Sequence, residues 1–217
     1  MNPRLCIDVT FDFICPWCLI GQRQLQRALE RLARERPAVS VTVRWQGVQL
    51  LPGLPAEGVP FDTFYRQRLG SDEAVRQRQA HVIEAALAVG EPLDFTRIRR
   101  MPNTANAHRL LQRVQLVAGA GPAEVLRLRL FQAYFQEGRD LGDRSTLLEI
   151  AQACGVPQAL VADCLRDDGA ALCADESRVG SVVPSFVINR QRPVSGAQPA
   201  EVLYAAMKVA LAQAVPA

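Results

Sequence analysis

Residues 5–18 read Leu-Cys-Ile-Asp-Val-Thr-Phe-Asp-Phe-Ile-Cys-Pro-Trp-Cys, and this stretch decides the fold. Leu5, Ile7, Val9, Phe11 and Phe13 recur with period two, which predicts a strand over residues 5–13 with one apolar face. Residues 16–35 change period. Cys18, Leu25, Leu29 and Leu32 share one helical face, arginines and glutamines fill the rest, and Pro37 ends the run. Residues 39–45, Val-Ser-Val-Thr-Val-Arg-Trp, alternate again. The opening is therefore β-α-β, a pattern that pairs parallel strands through a right-handed crossover.

The Cys15-Pro16-Trp17-Cys18 motif sits at the junction of strand and helix. Proline is favoured at the first helical position, where its missing N–H has no partner to lose. Pro16 is then the first helical residue and Cys15 the cap, with its sulfur facing the free N–H groups of the first turn. A dipole effect of about 1–2 kcal/mol lowers a thiol pKa by roughly one unit, toward 7. Thiolate is the species that attacks disulfides. Cys18 lies one turn on, close enough to close a disulfide with Cys15, and its place on the apolar stripe points it inward. Cys15 is thus expected to be the exposed nucleophile and Cys18 the shielded, resolving thiol. So small a ring adds little loop entropy; such a bond is suited to being made and broken.

The rest of the chain is mostly helical in pattern. Helices are predicted over 61–69, 72–89, 104–118, 122–137, 145–154, 157–166 and 168–180. Ser71, Asn103 and Asp143 or Ser145 are the candidate N-caps, and Gly90, Gly119, Gly138 and Gly155 the stops. Strand character returns at 185–189 and around 192–195, before a last helix over 198–213. A helical stretch of this length cannot be a loop in a compact domain. Residues 1–58 and 181–217 are therefore read as one domain and 59–180 as a helical insertion, with Pro52-Gly53-Leu54-Pro55 as the linker candidate.

Composition narrows the function. A net charge of +3, carried almost wholly by arginines interleaved with acids, gives no basis for nucleic-acid binding. No window approaches a membrane span. Asp8 and Asp12 interrupt the N-terminal apolar residues, so no export signal is read and a cytoplasmic location is expected. The six cysteines, at 6, 15, 18, 154, 164 and 173, are then not a structural framework. A zinc site needs four ligands at suitable spacing. Cys154, Cys164 and Cys173 are nine or ten apart and the only histidines are His81 and His108, so no metal is expected. Cys6, on the strand face opposite Leu5 and Ile7, and the three late cysteines read as inert thiols, with a second redox pair such as Cys164–Cys173 the minority reading. Tyr134-Phe135 reads as core.

A second piece is Val182-Val183-Pro184-Ser185-Phe186, a proline opening a strand. In this architecture it suggests a cis Val183–Pro184 bond, with the Val183 backbone free to pair with a substrate strand; an ordinary trans proline is the alternative.

These residues resemble the DsbA family of thioredoxin-fold proteins, in its FrnE-like branch of dithiol-disulfide isomerases. The resemblance rests on Phe11 to Cys18 with Ile20-Gly21, and on Pro102-Asn103-Thr104 with Ala107 to Leu110. It continues through Leu130 to Phe135 with Glu137-Gly138, Val183 to Ile188, and Ser195 to Gln198. It implies an α/β thioredoxin-like domain with a large helical insertion, Cys15 and Cys18 as the redox pair, a cis Pro184, and no bound cofactor. Glutathione or another thiol would serve as redox partner, and protein or small-molecule disulfides as substrates. Pro16, Trp17, Val183 and Pro184 would line the substrate site, Trp17 covering the reactive sulfur or else packing on the insertion. Related kappa-class glutathione transferases and hydroxychromene-carboxylate isomerases usually carry serine at the position of Cys15. Glutathione-dependent transfer or isomerisation on a small molecule is therefore the alternative activity, and a non-catalytic redox-sensing binder a third. Two departures stand out. Val182 replaces a frequent glycine, which implies a narrower groove. Val9 stands where many relatives bury an acid, so the proton of Cys18 must go to Asp12, His108 or water. His108 also reads as a capping or surface residue, and Asn103 as a cap or a supporting residue.

Overall fold

The alternation of residues 5–11 builds β1 (Arg4–Phe11), and the amphipathic run after it builds α1 (Pro16–Glu35). β2 (Ser40–Gly47) returns parallel to β1, with Leu5 opposite Val41, Ile7 opposite Val43 and Val9 opposite Trp45. Much later in the chain β5 (Ser185–Ile188) joins the other edge of β1 antiparallel, and β6 (Val194–Ser195) pairs with β5. The sheet order is β2-β1-β5-β6. In this computed structural model residues 3–172, 182–191 and 193–213 are described. The last helix, α7 (Ala200–Gln213), packs beside α1. Both cover the face that carries Leu5, Ile7 and Val9, with Leu25, Ala28, Leu32, Leu203 and Met207. Each such side chain contributes about 1.5–3 kcal/mol on full burial. Across the strands, Arg44 grips the Asp8 carboxylate with two hydrogen bonds.

Between β2 and β5 run α2 (Phe61–Leu69), α3 (Asp72–Ala88), α4 (Ala105–Ala118), α5 (Ala120–Phe135) and α6 (Arg144–Ala153). Their apolar faces form a second core, which Phe11, Phe13, Cys15, Cys18, Leu19 and Ile20 enter from the end of β1 and the start of α1. The cysteine loop thus lies between the sheet and the helices. Ser71 caps α3 by accepting from the Ala74 N–H, and Asp143 caps α6 through Thr146. Gly90, Gly119, Gly138 and Gly155 follow α3, α4, α5 and α6 with positive φ, as the stops require. No helix among the described residues is long and apolar enough to cross a membrane.

Four local expectations are corrected. β1 ends at Phe11 rather than residue 13, because the Cys15 N–H turns back to the Asp12 carbonyl. A short antiparallel pair, β3 (Val59–Pro60) and β4 (Arg100–Met101), lies where only helix was expected. In place of a helix over 157–166 stand two 3₁₀ turns, Gln158–Leu160 and Ala162–Cys164. Arg144 donates to the carbonyls of Ala162 and Leu165 and Arg113 to that of Leu160, so guanidiniums take the acceptors that an α-helix would use. Residues 168–172 are also irregular. Asn103 holds the Gly169 carbonyl, Arg109 those of Ala170 and Ala171, and Gln49 accepts from the Leu172 N–H. The remainder of that expected helix, Cys173 included, lies outside the described residues.

Candidate active site

Cys15 caps α1 in extended conformation, with Pro16 in the first turn. Cys15 and Cys18 are both free thiols. The Val183–Pro184 peptide is cis, and the Cys15 thiol donates to the Val183 carbonyl over 3.8 Å. That carbonyl is therefore engaged by the thiol, not free as expected. Gly21 lets α1 close on this turn: a Cβ there would stand 2.8 Å from Pro184 Cγ and 3.2 Å from the Phe186 ring. Cys15 is only 6% exposed, against the expectation of an open nucleophile. Trp17, Phe64, Tyr65 and Val183 pack on the cluster that contains it. Trp17 is half-buried and rests on the helical region, 5.5 Å from the His81 ring of α3. Val182 is 62% exposed.

Behind the cysteines lies a buried ionisable pair. Asp12 and His108 are 0% and 1% exposed, with 3.1 Å between Asp12 Oδ1 and His108 Nε2. The other carboxylate oxygen accepts from the Leu50 N–H at 2.7 Å. His108 is thus neither a cap nor a surface residue. The turn that follows β1 places Asp12 just before the cysteine loop, and α4 delivers His108 to it. Aromatic rings enclose the imidazole, Phe13 at 4.8 Å and Phe11 at 5.4 Å. Its Nδ1 has no partner among the described residues and faces Gly47, where a Cβ would stand 2.1 Å away. A buried N–H without an acceptor is costly, so the proton belongs on Nε2, donated to Asp12.

Burial pushes the Cys18 thiol well above its ordinary range. The hydrogen bond and charge of Cys15 and the charge of Asp12 act in the same direction, while the Asp12 N–H opposes them. The sign of the resulting pH dependence is fixed. An unfolded thiol titrates near about 8.5. Above that pH the unfolded chain has released a proton that the folded, reduced protein retains, so stability falls as pH rises. Urea unfolding of the reduced protein between pH 7.5 and 9.5 is expected to lose stability faster than that of Cys18→Ser, by up to about 1.4 kcal/mol per pH unit. Equal slopes would show that Cys18 is not shielded.

Asn103 is a junction, not part of the cysteine loop. It accepts from the Ala105 N–H and from Gln49, and donates to the Leu54 and Gly169 carbonyls. Cys6, Cys154 and Cys164 are half-buried free thiols, and burial raises the pKa of the latter two. Tyr134 and Phe135 are core. Sequence reasoning missed Tyr65 of α2, whose phenol is raised by burial and then by the charge of Cys15, and lowered by Arg68 and Arg78. The spacing of Phe61 and Tyr65 marks only an apolar helix face and carries no sign of that neighbourhood.

Along nearly its whole length the chain matches proteins already known. The chain is similar to the crystal structure of the probable DsbA oxidoreductase SCO1869 from Streptomyces coelicolor. It is 29% identical, covers 98% of this chain and 92% of that one, and has a TM-score of 0.83. A 2-hydroxychromene-2-carboxylate isomerase shares the fold at 17% identity, with 96% of this chain and 97% of that one covered and a TM-score of 0.62. The uncharacterised Bacillus subtilis protein YwbO is 23% identical over 153 residues, 70% of this chain and 68% of its own length. The DSBA-like thioredoxin domain matches residues 6–208, and the chain belongs to that DsbA-like family of thioredoxin-fold proteins.

Proposed function

We propose that the protein catalyses dithiol–disulfide exchange through Cys15 and Cys18, as an oxidoreductase or isomerase of disulfides. The observation that carries this reading is a pair of free thiols in the first turn of α1, with a buried carboxylate–imidazole pair behind them. The Cys15 thiolate attacks one sulfur of a substrate disulfide. A mixed disulfide forms and one substrate thiolate leaves. Asp12, held by His108, accepts the proton of Cys18, whose sulfur then attacks Cys15 Sγ and releases the second substrate thiol. Substrate gains two electrons and the enzyme closes its disulfide; the reverse direction oxidises substrate thiols. Cys15 stands at the N-terminus of α1, where the positive end of the helix dipole meets the attacking sulfur. Pro16, Trp17, Val183 and Pro184 border the sulfur on which substrate must land. This division of labour assigns the reacting groups to residues 1–58 and 181–217, and to residues 59–180 the covering of the site and, through His108, the support of Asp12. The presence of both cysteines favours the dithiol route of FrnE-like proteins.

The test is the redox equilibrium of the protein in glutathione buffers of known ratio, read by thiol labelling and mass spectrometry. A single two-electron transition confined to Cys15 and Cys18 is expected. A stable mixed disulfide of glutathione on Cys15, never resolved by Cys18, would overturn the dithiol reading in favour of glutathione-dependent transfer or isomerisation.

A further inference from the structure

The helices over the cysteines carry arginines that are used in two different ways. On α2 and α3, Arg66 is paired with Asp72 and Arg76 with Glu73. Arg68 and Arg78, on the same helices, have no carboxylate partner among the described residues. Both are exposed; Arg68 lies three residues beyond Tyr65 on α2, one turn along the same helix face, and both guanidiniums lower the pKa of the Tyr65 phenol while Cys15 raises it. The Arg78 guanidinium also lies 5.9 Å from the ring of Trp17, the residue between the two cysteines. Tyr65 and Trp17 pack on the cluster that holds Cys15, and the Tyr65 hydroxyl has no hydrogen-bond partner among the described residues. The helices that cover the nucleophile thus carry two cations without a carboxylate partner, one of them at the Trp17 ring, and a free hydroxyl donor.

We propose that Arg68 and Arg78 make this site selective for a disulfide that carries carboxylates close to its sulfurs. The inference rests on the dithiol reading above. Guanidinium is the side chain best suited to grip a carboxylate, through paired N–H donors. With Cys15 only 6% exposed, a substrate must bring its sulfur past this rim, and its charge is read on the way. The reaction is a complete exchange. The Cys15–Cys18 dithiol supplies two electrons and becomes a disulfide, and the substrate S–S bond becomes two thiols, so a pre-reduced protein needs no further reductant for one turnover.

Single-turnover oxidation of the reduced full-length protein is measured with oxidised glutathione, neutral hydroxyethyl disulfide and cationic cystamine. Any effect of the two guanidiniums on the Cys15 thiolate enters every rate and cancels in ratios. In an Arg68→Gln, Arg78→Gln double variant the rate ratio of glutathione disulfide to hydroxyethyl disulfide is expected to fall about tenfold, as loss of two screened ion pairs requires. The cystamine ratio is expected to rise. Arg66→Gln removes the same charge from α2 at a residue already paired, and is expected to leave both ratios unchanged. Raising ionic strength from about 0.02 to 0.5 M shortens the screening length to a few ångströms, and should lower the glutathione ratio in the unmodified protein but not in the double variant. Unchanged ratios in the double variant, or an equal fall in Arg66→Gln, would overturn the selectivity while leaving the exchange reading intact. If none of the three disulfides oxidises the cysteine pair, the exchange reading fails first and the selectivity with it.

Discussion

Cys15→Ser is expected to abolish disulfide exchange, with a fall on the order of 10³-fold or more in the rate at which a small disulfide oxidises the protein. Serine keeps the cap position and nearly the same volume but offers no thiolate. The change is confined to chemistry: the fold rests on two apolar cores to which one sulfur adds little. Cys18→Ser has a different signature. The first attack proceeds, the leaving thiol departs, and the mixed disulfide on Cys15 accumulates because no second sulfur stands behind it. Intact-mass spectra taken seconds after mixing separate the two variants. The adduct should appear on Cys18→Ser and be absent from Cys15→Ser. The reverse pattern would exchange the roles of the two cysteines, which their burial alone, 6% against 2%, does not fix.

The second large effect concerns the buried pair. Asp12→Asn keeps the shape and the acceptor for the Leu50 N–H but removes the carboxylate proposed to take the Cys18 proton. General-base removal of this kind costs about 10²–10⁴-fold, here in decay of the mixed disulfide and not in its formation. A purely structural role would slow both steps together at every pH. A proton acceptor predicts that the resolving step recovers as pH rises, because hydroxide replaces the missing base. His108→Ala acts mainly on stability, since it leaves a carboxylate buried with one hydrogen bond. Breaking such a pair from one side costs about 3–5 kcal/mol, which in a chain of this size lowers Tm by roughly 6–20 °C. Gly47→Ala reaches the same pair from the other side, by pushing a methyl group toward His108 Nδ1. It should show the resolution defect of Asp12→Asn in milder form. Normal resolution and stability in both His108→Ala and Gly47→Ala would remove His108 from the mechanism.

What was legible in the sequence follows period and punctuation. β1, α1 and β2 could be drawn because alternation, amphipathicity and Pro37 are local signals. The same holds for the caps at Ser71 and Asp143 and the stops at Gly90 and Gly155. The motif at Cys15 announced itself because proline, cysteine and a strand-to-helix junction coincide. Errors arose where distant side chains intervene. No local pattern around residue 162 discloses that Arg144 and Arg113 will claim its carbonyls. His108 is one imidazole on a helix until α4 is laid against the end of β1, which its own spacing cannot specify. Tyr65, Arg68 and Arg78 stayed hidden for the same reason. They are ordinary residues of a surface helix pair, and acquire meaning only when α2 and α3 are placed over Trp17.

Arg127 of α5 is 1% exposed, beneath the groove between α1 and α5. Its guanidinium lies 3.5 Å from the Trp45 ring of β2, bonds to Gln22 one turn beyond Cys18, and pairs with Glu124 on its own helix. A buried cation of this kind cannot be left behind unpaired. The helical region is therefore not an interchangeable cassette. To graft a relative's helices onto this sheet, a designer must carry Gln22 and Trp45 along as part of the socket, or replace Arg127 and both contacts together by an apolar set. Recombination at the apparent boundaries of the insertion would otherwise strand a charge in the seam, and chimaeras drawn from sequence alone should fail at this residue before they fail at the cysteines.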